Sequence, residues 1–246
     1  MTNSSSFDIS IVVPCFQEEN HLRKSVETIY ALLERTNYSF EMIFVDDCSK
    51  DGTRDIILSL EKEFKNSGHL FHEKNTGRGG AFLDGVLLSK GRYVGYLDID
   101  LEVSCVYLLD VLLELERGYD IAIVRRHYAL SPSPVFILRH LLSVGYKMIV
   151  SSYLGIPRMD TETGFKFFER NCILDLAGKI QNKKWFFDTE VMVMGFFAPY
   201  KIKEVDGLFM RKTEKTSTVK LFSDTIDYFI EIYRFKKRIR KITSSQ

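Results

Sequence analysis

No two cysteines stand in CxxC spacing; Cys15, Cys48, Cys105 and Cys172 are scattered singly along the chain. That argues against a zinc site or a disulfide framework and makes a reducing cytoplasm the natural compartment. The loop after the first strand-like run reads PCFQEEN, without a glycine, and the later Gly77 and Gly79 are followed by Phe82 where a dinucleotide fingerprint needs a third glycine. A P-loop and a GxSxG elbow are missing too. The five histidines, His21, His69, His72, His127 and His140, lie away in sequence from the acidic segments, which disfavours a hydrolase with a nucleophile and its base. At the N-terminus, MTNSSSFD lacks the basic region and apolar core of a secretory signal. No uninterrupted apolar run nears the roughly 20 residues of a membrane span. The nearest, Val135 to Leu154, is broken by Arg139, His140 and Lys147 and reads as a helix with a polar stripe. Internal repeats and Gly/Ser-rich linkers are absent.

What is present fits one large α/β domain of 246 residues with 45% hydrophobic and 27% charged residues. The net charge of +1 conceals an asymmetry: from Lys201 onward there are 12 Lys and Arg against 6 Asp and Glu, leaving 22 against 27 for residues 1 to 200. A uniform nucleic-acid footprint is therefore not expected. The basic end, RFKKRIRK (Arg234 to Lys241), suits anionic lipid headgroups, a partner or water.

Strand-like and helix-like periods alternate through the first half. Ile9 to Pro14, Phe40 to Val45, Leu70 to His72, Arg92 to Leu97 and Tyr119 to Val124 read as strands, with amphipathic helices between them. This order predicts a mostly parallel sheet with helices on both faces, whose ligands bind beyond the carboxyl ends of the strands. Three acid-bearing loops fall at those ends: Pro14 to Glu18, Asp46 with Asp47, and Asp98 to Glu102. The third is the most informative, because YVGYLDIDLE turns from an apolar run to Asp98, Asp100 and Glu102. Read as extended chain, those acids fall on one side and repel unless a cation sits among them. Hard oxygen ligands suit Mg²⁺ or Mn²⁺, and such ions bring phosphates. After Arg126 the alternation stops, and SPSP (Ser131 to Pro134) opens a half with longer helices.

Five segments in order, VVPCFQEEN (Val12 to Asn20), VDDCSKDGT (Val45 to Thr53), NTGRGGAFLDG (Asn75 to Gly85), DIDLE and TGFKFF (Thr163 to Phe168), resemble the inverting GT-A-fold glycosyltransferases of family 2. Within them the chain looks most like dolichyl-phosphate mannose synthase and bacterial polyprenyl-phosphate glycosyltransferases. The resemblance implies a Rossmann-like nucleotide-sugar half over about residues 8–126, an acceptor half over about 127–218 and a basic C-terminal helix over about 219–246. Pro14, Phe16 and Glu18 would border base and ribose, Val45 and Asp47 would frame the base, and Ile99 would line the donor within the DxD segment. Asp100 and Glu102 would hold the metal, with Asp98 contacting the sugar nucleotide or joining the metal's surroundings. Glu102 replaces the Gln common in the mannose synthases and adds a charge.

Arg125 and Arg126 compete for the position facing phosphate or sugar, and the spacing from Asp120 favours Arg126. Lys166, Arg211 and Ser217 match positions that close over the diphosphate or acceptor phosphate. The implied partners are a GDP-mannose or UDP-sugar donor and a polyprenyl phosphate. A phosphate oxygen is already anionic near neutrality and needs no strong base, whereas a saccharide or protein hydroxyl would need one. For that alternative Asp160 is the first candidate, with Asp188 or Glu190 behind it, although all three acids would also serve as scaffold. A catalytically silent nucleotide-sugar-binding protein is the remaining alternative. Val135 to Leu154 and Val219 to Lys241 carry apolar stripes, including Leu221, Phe222, Ile226, Phe229, Ile230 and Tyr233. These suit core, a homodimer contact or peripheral docking at the cytoplasmic face of a membrane.

Overall fold

The computed structural model describes residues 6–128, 145, 147–210 and 221–243. The first strand, β1 (Phe7–Cys15), is followed by α1 (Leu22–Leu33), β2 (Phe40–Asp46), α2 (Thr53–Glu63), β3 (Ser67–Phe71), α3 (Arg78–Leu88), β4 (Gly91–Leu97), α4 (Tyr107–Glu116) and β5 (Ile121–Tyr128). Residues 147–154 are helical (α5). Beyond them come β6 (Phe165–Glu169), α6 (Arg170–Ala177), α7 (Phe187–Phe197), β7 (Ile202–Phe209) and α8 (Leu221–Thr243). Most of the expected Val135 to Leu154 helix, and all of the Arg211 to Thr218 segment, lie outside the described residues.

Seven strands form one sheet in the order β3-β2-β1-β4-β6-β5-β7. All pairings are parallel except those of β6, which runs antiparallel between β4 and β5. The chain winds from β1 outward to β3 and then crosses back to β4 on the other side of β1. That reversal opens a crevice at the carboxyl ends of β1 and β4, where ligands of open α/β sheets bind.

Strand alternation divides the core between the two faces. Ile9, Ile11, Val13, Met42 and Phe44 pack with α1, α2 and α4 on one side. Val12, Ile43, Val45, Val94 and Tyr96 pack with α3, α6, α7 and α8 on the other. Helix α1 earns its place through Leu22, Val26, Ile29 and Leu33, a buried stripe at helical spacing. On the opposite side Phe82 of α3 is fully buried, with ring centroids 4.5 Å from Tyr96 and 5.7 Å from Phe187. Helix α8 closes that face with buried Ile232, Phe235 and Ile239. Because Phe82 joins α3, β4, β6 and α7, Phe82→Ala should cost about 3 to 5 kcal/mol. Urea unfolding would show this as a lowered midpoint with an unchanged slope.

Candidate functional site

Beyond β1 the chain turns through Pro14 to Glu19 and is tied to the loop after β2. Gln17 N–H donates to Ser49 Oγ (2.9 Å), Glu18 N–H to Thr53 Oγ1 (2.9 Å), and Gly52 N–H to Glu19 Oε2 (2.8 Å). Phe16 is 48% exposed beside these contacts, a free apolar face on the rim. Val45 and Ile99, expected to touch the donor, are instead buried in the two cores. Their side chains are turned inward by strand alternation and by packing under the acidic turn.

Asp46 and Asp47 are both buried but differ in partner. Asp46 receives Arg54 Nε at 2.7 Å. Asp47 gathers the loop before α3: Thr76 N–H donates to Oδ1 at 2.7 Å, Gly77 N–H to Oδ2 at 2.8 Å, and His72 Nδ1 lies 2.9 Å from Oδ1. Burial alone would raise this carboxyl, yet these donors outweigh it and hold its pKa below the ordinary value. Asp47 is thus committed to the NTGR loop. His72 stands against an acid-bearing loop, contrary to the expectation that every histidine lies apart from them.

The DIDLE segment is a turn, not an extended run. Strand β4 ends at Leu97, Leu101 N–H donates to Asp98 O at 3.0 Å, and Leu101 has φ 51°. Asp98 therefore faces Arg78, with Nη2 2.6 Å from Oδ1, rather than lining up with Asp100 and Glu102. Gly164 makes this possible: its carbonyl accepts Asp98 N–H at 2.8 Å, and a Cβ there would sit 1.9 Å from Asp98 Oδ2. Although the Asp98 side chain is half exposed, the crowding of protein atoms around it and the neighbouring Asp100 raise its pKa, with Arg78 opposing. Asp100 Oδ1 accepts Glu102 N–H at 3.2 Å, and Glu102 O accepts Met210 N–H at 2.8 Å. Among the described residues no three His, Cys, Asp or Glu side chains form a cage by themselves. A Mg²⁺-type ion needs one or two carboxylates with phosphates and water completing its shell, so the all-oxygen pair Asp100 and Glu102 fits one.

Across the crevice, β5 turns its two arginines to opposite faces. Arg126 donates to Asp160 through Nε (2.9 Å), Nη2 (2.8 Å) and its own N–H (3.0 Å), and Lys147 lies 3.2 Å from the same carboxylate. Arg125 pairs instead with Asp206 of β7. Burial would raise Asp160, but Arg126 and Lys147 hold it well below the carboxylate range. An acid so stabilised is a weak proton acceptor, so its geometry is that of an anchor for Arg126 rather than the base expected for a hydroxyl acceptor.

The other two candidate bases are equally engaged. Asp188 of α7 lies 2.6 Å from the fully buried Lys166 Nζ, bonds Tyr96 Oη and faces Arg78 at 3.7 Å. Glu190 accepts the amides of Gln181 and Asn182, each at 2.8 Å, and pairs with Arg238 of α8. A fourth acid escaped the sequence reading. Glu162, between Asp160 and Thr163, has its pKa raised to about 7 by burial and by Asp160 and Asp188, with Arg126 and Tyr228 opposing. Arg78 escaped as well, although its place in NTGRGG at the opening of a helix was a usable signal. Arg211 and Ser217 lie outside the described residues.

These charges line one rim of a sheet whose sequence profile can be placed. The glycosyl transferase family 2 profile matches residues 10–177. The chain belongs to that family. A dolichyl-phosphate beta-glucosyltransferase of Saccharomyces cerevisiae is 28% identical over 94% of this chain and 78% of its own length. Dolichyl-phosphate beta-glucosyltransferase ALG5D of Trichomonas vaginalis is 28% identical over 80% of this chain, which spans 64% of that relative. The glycosyltransferase AglD of Haloferax volcanii is 28% identical, and the chain spans only 33% of it. Glucosyl-3-phosphoglycerate synthase of Mycobacterium tuberculosis with bound uridine-diphosphate superposes with a TM-score of 0.68 at 17% identity, covering 96% of this chain and 82% of that one. The fold is GT-A, the mixed α/β architecture expected from the alternation of elements.

Glu162 makes the site's electrostatics measurable. Below the ordinary glutamate pKa both folded and unfolded chains hold its proton. Above it the unfolded chain loses the proton first, so stability should fall as pH rises from about 4.5 to about 7 and then level off. Glu162→Gln should remove that component from urea midpoints measured across the range.

Proposed function

We propose that the protein is an inverting glycosyltransferase that moves a hexose from a nucleoside diphosphate donor to a polyprenyl phosphate. The observation that carries this reading is the pairing on one rim of an acidic turn, Asp98 to Glu102, with Arg78 and Arg126. Phosphates need cations and a metal, and the turn and the two guanidiniums offer both. Family 2 membership and relatives named dolichyl-phosphate beta-glucosyltransferases support the acceptor class. Glucosyl-3-phosphoglycerate synthase with Mn²⁺ and uridine-diphosphate bound supports a uridine nucleotide and a divalent ion.

In this reading residues 8–126 receive the donor and residues 127–218 the acceptor. Phe16 and Glu18 border the nucleoside. Asp100 and Glu102 hold Mg²⁺ or Mn²⁺, which when bound would neutralise charge on the departing diphosphate. Arg78 and Arg126 share that task from the protein side, both held charged above the ordinary arginine range by their carboxylates despite burial. Lys166 and Asp188 meet Tyr96 and Arg78 and so fix β6, a strand of the acceptor half, beside β4 of the donor half. A saccharide or protein hydroxyl acceptor is the second reading, favoured by one observation: Glu162, with a pKa of about 7, is poised as a base.

Purified protein with Mn²⁺ or Mg²⁺, a panel of nucleotide sugars and a short polyprenyl phosphate should yield lipid-extractable sugar. Asp100→Ala should lower that transfer by at least about a hundredfold, as loss of a charge-stabilising element does. Sugar found only on water-soluble acceptors would transfer the argument to Glu162. Transfer that survives Asp100→Ala with its metal dependence intact would remove Asp100 from the metal site.

The acceptor class asks for contact with a lipid surface. No described helix is long and apolar enough to cross a membrane. The described part of α8 exposes Ile230 (42%) and Tyr233 (64%), and its Lys236 lies over the ring of Tyr153 of α5, itself near exposed Ile149. Arg234, Lys237 and Arg240 are exposed around them. Aromatic and aliphatic side chains within a basic field suit peripheral docking on anionic headgroups, which we place at the cytoplasmic face of a membrane. The four free thiols suit that reducing side. Wild-type protein should cosediment with vesicles containing phosphatidylglycerol but not with phosphatidylcholine alone. Ile230→Asp with Tyr233→Asp should abolish the difference.

A further inference from the structure

We infer that Arg238 of α8 is a positioning residue of the donor site, which acts through Glu190 and the loop of residues 181–185 to set the first turn of α3 and with it Arg78. The inference rests on the donor reading above and deepens it. Glu190 is 1% exposed, and three N–H donors converge on its two carboxylate oxygens. Gln181 N–H donates to Oε1 and Asn182 N–H to Oε2, each at 2.8 Å, and Arg238 Nη2 donates to Oε1 as well. Among the described residues Arg238 is the one side chain bonded to Glu190. A buried carboxylate oxygen that loses a donor must find another or turn away. Turning away would release the amides of Gln181 and Asn182, and the loop would lose the anchor at its start.

Helix α8 holds the same loop at two further points. Asn182 Nδ2 donates to Glu231 Oε2 at 3.2 Å while its Oδ1 accepts Lys184 N–H at 2.9 Å, and Tyr228 Oη donates to the carbonyl of Trp185 at 3.3 Å. Arg238 is the contact set deepest: its side chain is 21% exposed, its guanidinium lies 4.8 Å from the centre of the Phe235 ring, and its Nε is buried without a hydrogen-bond partner among the described residues. Stacked in this way, the guanidinium spends its fixed geometry on the single contact that Nη2 makes with Glu190.

The loop in turn fixes the opening of α3. The first N–H groups of a helix have no partner inside it, and α3 starts after Gly77, which has no side chain to cap them. Lys183 O fills one of these places by accepting Gly80 N–H at 3.0 Å. Gly77, at φ 90°, passes so close to the same carbonyl that a Cβ there would lie 2.5 Å from it. Between these two contacts stands Arg78, with Nη2 2.6 Å from Asp98 and Nη1 3.7 Å from Asp188, two residues before Glu190 on α7. A loop released from Glu190 withdraws Lys183 O and leaves the turn anchored from the β2 side, by Asp47. The cation nearest the acidic corner is then no longer held where a diphosphate would meet it.

Calorimetry of UDP and GDP with Mn²⁺ tests this. Arg238→Met keeps the length and helix propensity of the side chain without its donors, and it should bind nucleotide about tenfold more weakly than wild type, the order by which loss of an outer partner weakens a metal site. Arg238→Lys retains an N–H donor and should recover most of that affinity. Because Arg238 acts through Arg78, the two changes should be coupled, so that in an Arg78→Lys background Arg238→Met adds little further loss. Ile232→Ala, a packing loss on the buried face of the same helix, should lower the urea midpoint yet leave nucleotide affinity at the wild-type value. Trp185, the single tryptophan of the chain and 52% exposed, reports on the loop itself. Its emission should move to longer wavelength in nucleotide-free Arg238→Met and stay in place in Ile232→Ala. Wild-type affinity in Arg238→Met, an equal loss in Ile232→Ala, a Lys variant as weak as the Met variant, or additive losses in the Arg78→Lys background would each overturn the inference while leaving the donor reading intact. Where Arg238→Met does not fold, Asn182→Ala loosens the same loop in its place, and unchanged affinity in that variant overturns the inference too. Failure of wild type to bind either nucleotide would instead overturn the donor reading and the role of Arg238 with it.

Discussion

The buried ion pair between Lys166 and Asp188, joined by Tyr96 and Arg78 from the first half of the chain, ties the two halves of the site together. Lys166 comes from β6, the antiparallel strand inserted between β4 and β5, and Asp188 from the first turn of α7. Register pairs Lys166 with Tyr96 of β4, whose hydroxyl bonds the same Asp188. Burial lowers the Lys166 pKa and would raise that of Asp188, yet the lysine and Arg78 keep the acid below its ordinary value. Such a pair adds little net stability when complete but costs several kcal/mol when one partner is lost. Its structural consequence is geometric: β6 can sit only where Lys166 meets α7, and that register puts Gly164 against Asp98.

From that junction the charges alternate outward in two directions. Toward the donor side the order is Asp188, Arg78, Asp98; toward the acceptor side a separate chain runs from Asp160 to Arg126 and Lys147. Each guanidinium is shared with a carboxylate before any ligand arrives. Preorganised cations of this kind need no reorganisation when phosphate charge develops.

Much of this was legible in the sequence because it follows from short-range periodicity. Strands β1, β2, β4 and β5 were readable from apolar runs, and their polar ends were readable as a common rim. The same periodicity misled where backbone changes direction. Asp98, Asp100 and Glu102 lose their common side because Leu101 takes a positive φ, and nothing in DIDLE announces that turn. Val45 and Ile99 lie inside motifs yet belong to the core. Asp47, Asp160 and Asp188 were legible as acids of the site, but their partners, Thr76 and Gly77, Arg126 and Lys147, and Lys166, lie 13 to 34 residues away or arrive from other elements. Contacts set by sheet register and helix packing cannot be read from spacing alone. His72 is the sharpest instance, since it lies 25 residues from Asp47 and 12 from Asp84 and meets both.

A second junction fixes the acidic turn to the sheet edge. The end of β7 is clamped to the acidic turn: Val103 bridges Phe209, and Met210 N–H donates to Glu102 O at 2.8 Å. Tyr107 Oη accepts Leu208 N–H at 2.9 Å and fastens the same strand end to α4. The chain therefore enters the basic Arg211 to Lys220 segment from a residue bonded to the segment that carries Asp100 and Glu102. The same two contacts hold the end of β7 and the acidic turn as one hydrogen-bonded unit, so the backbone that carries Asp100 and Glu102 is fixed by the sheet edge as well as by its own turn.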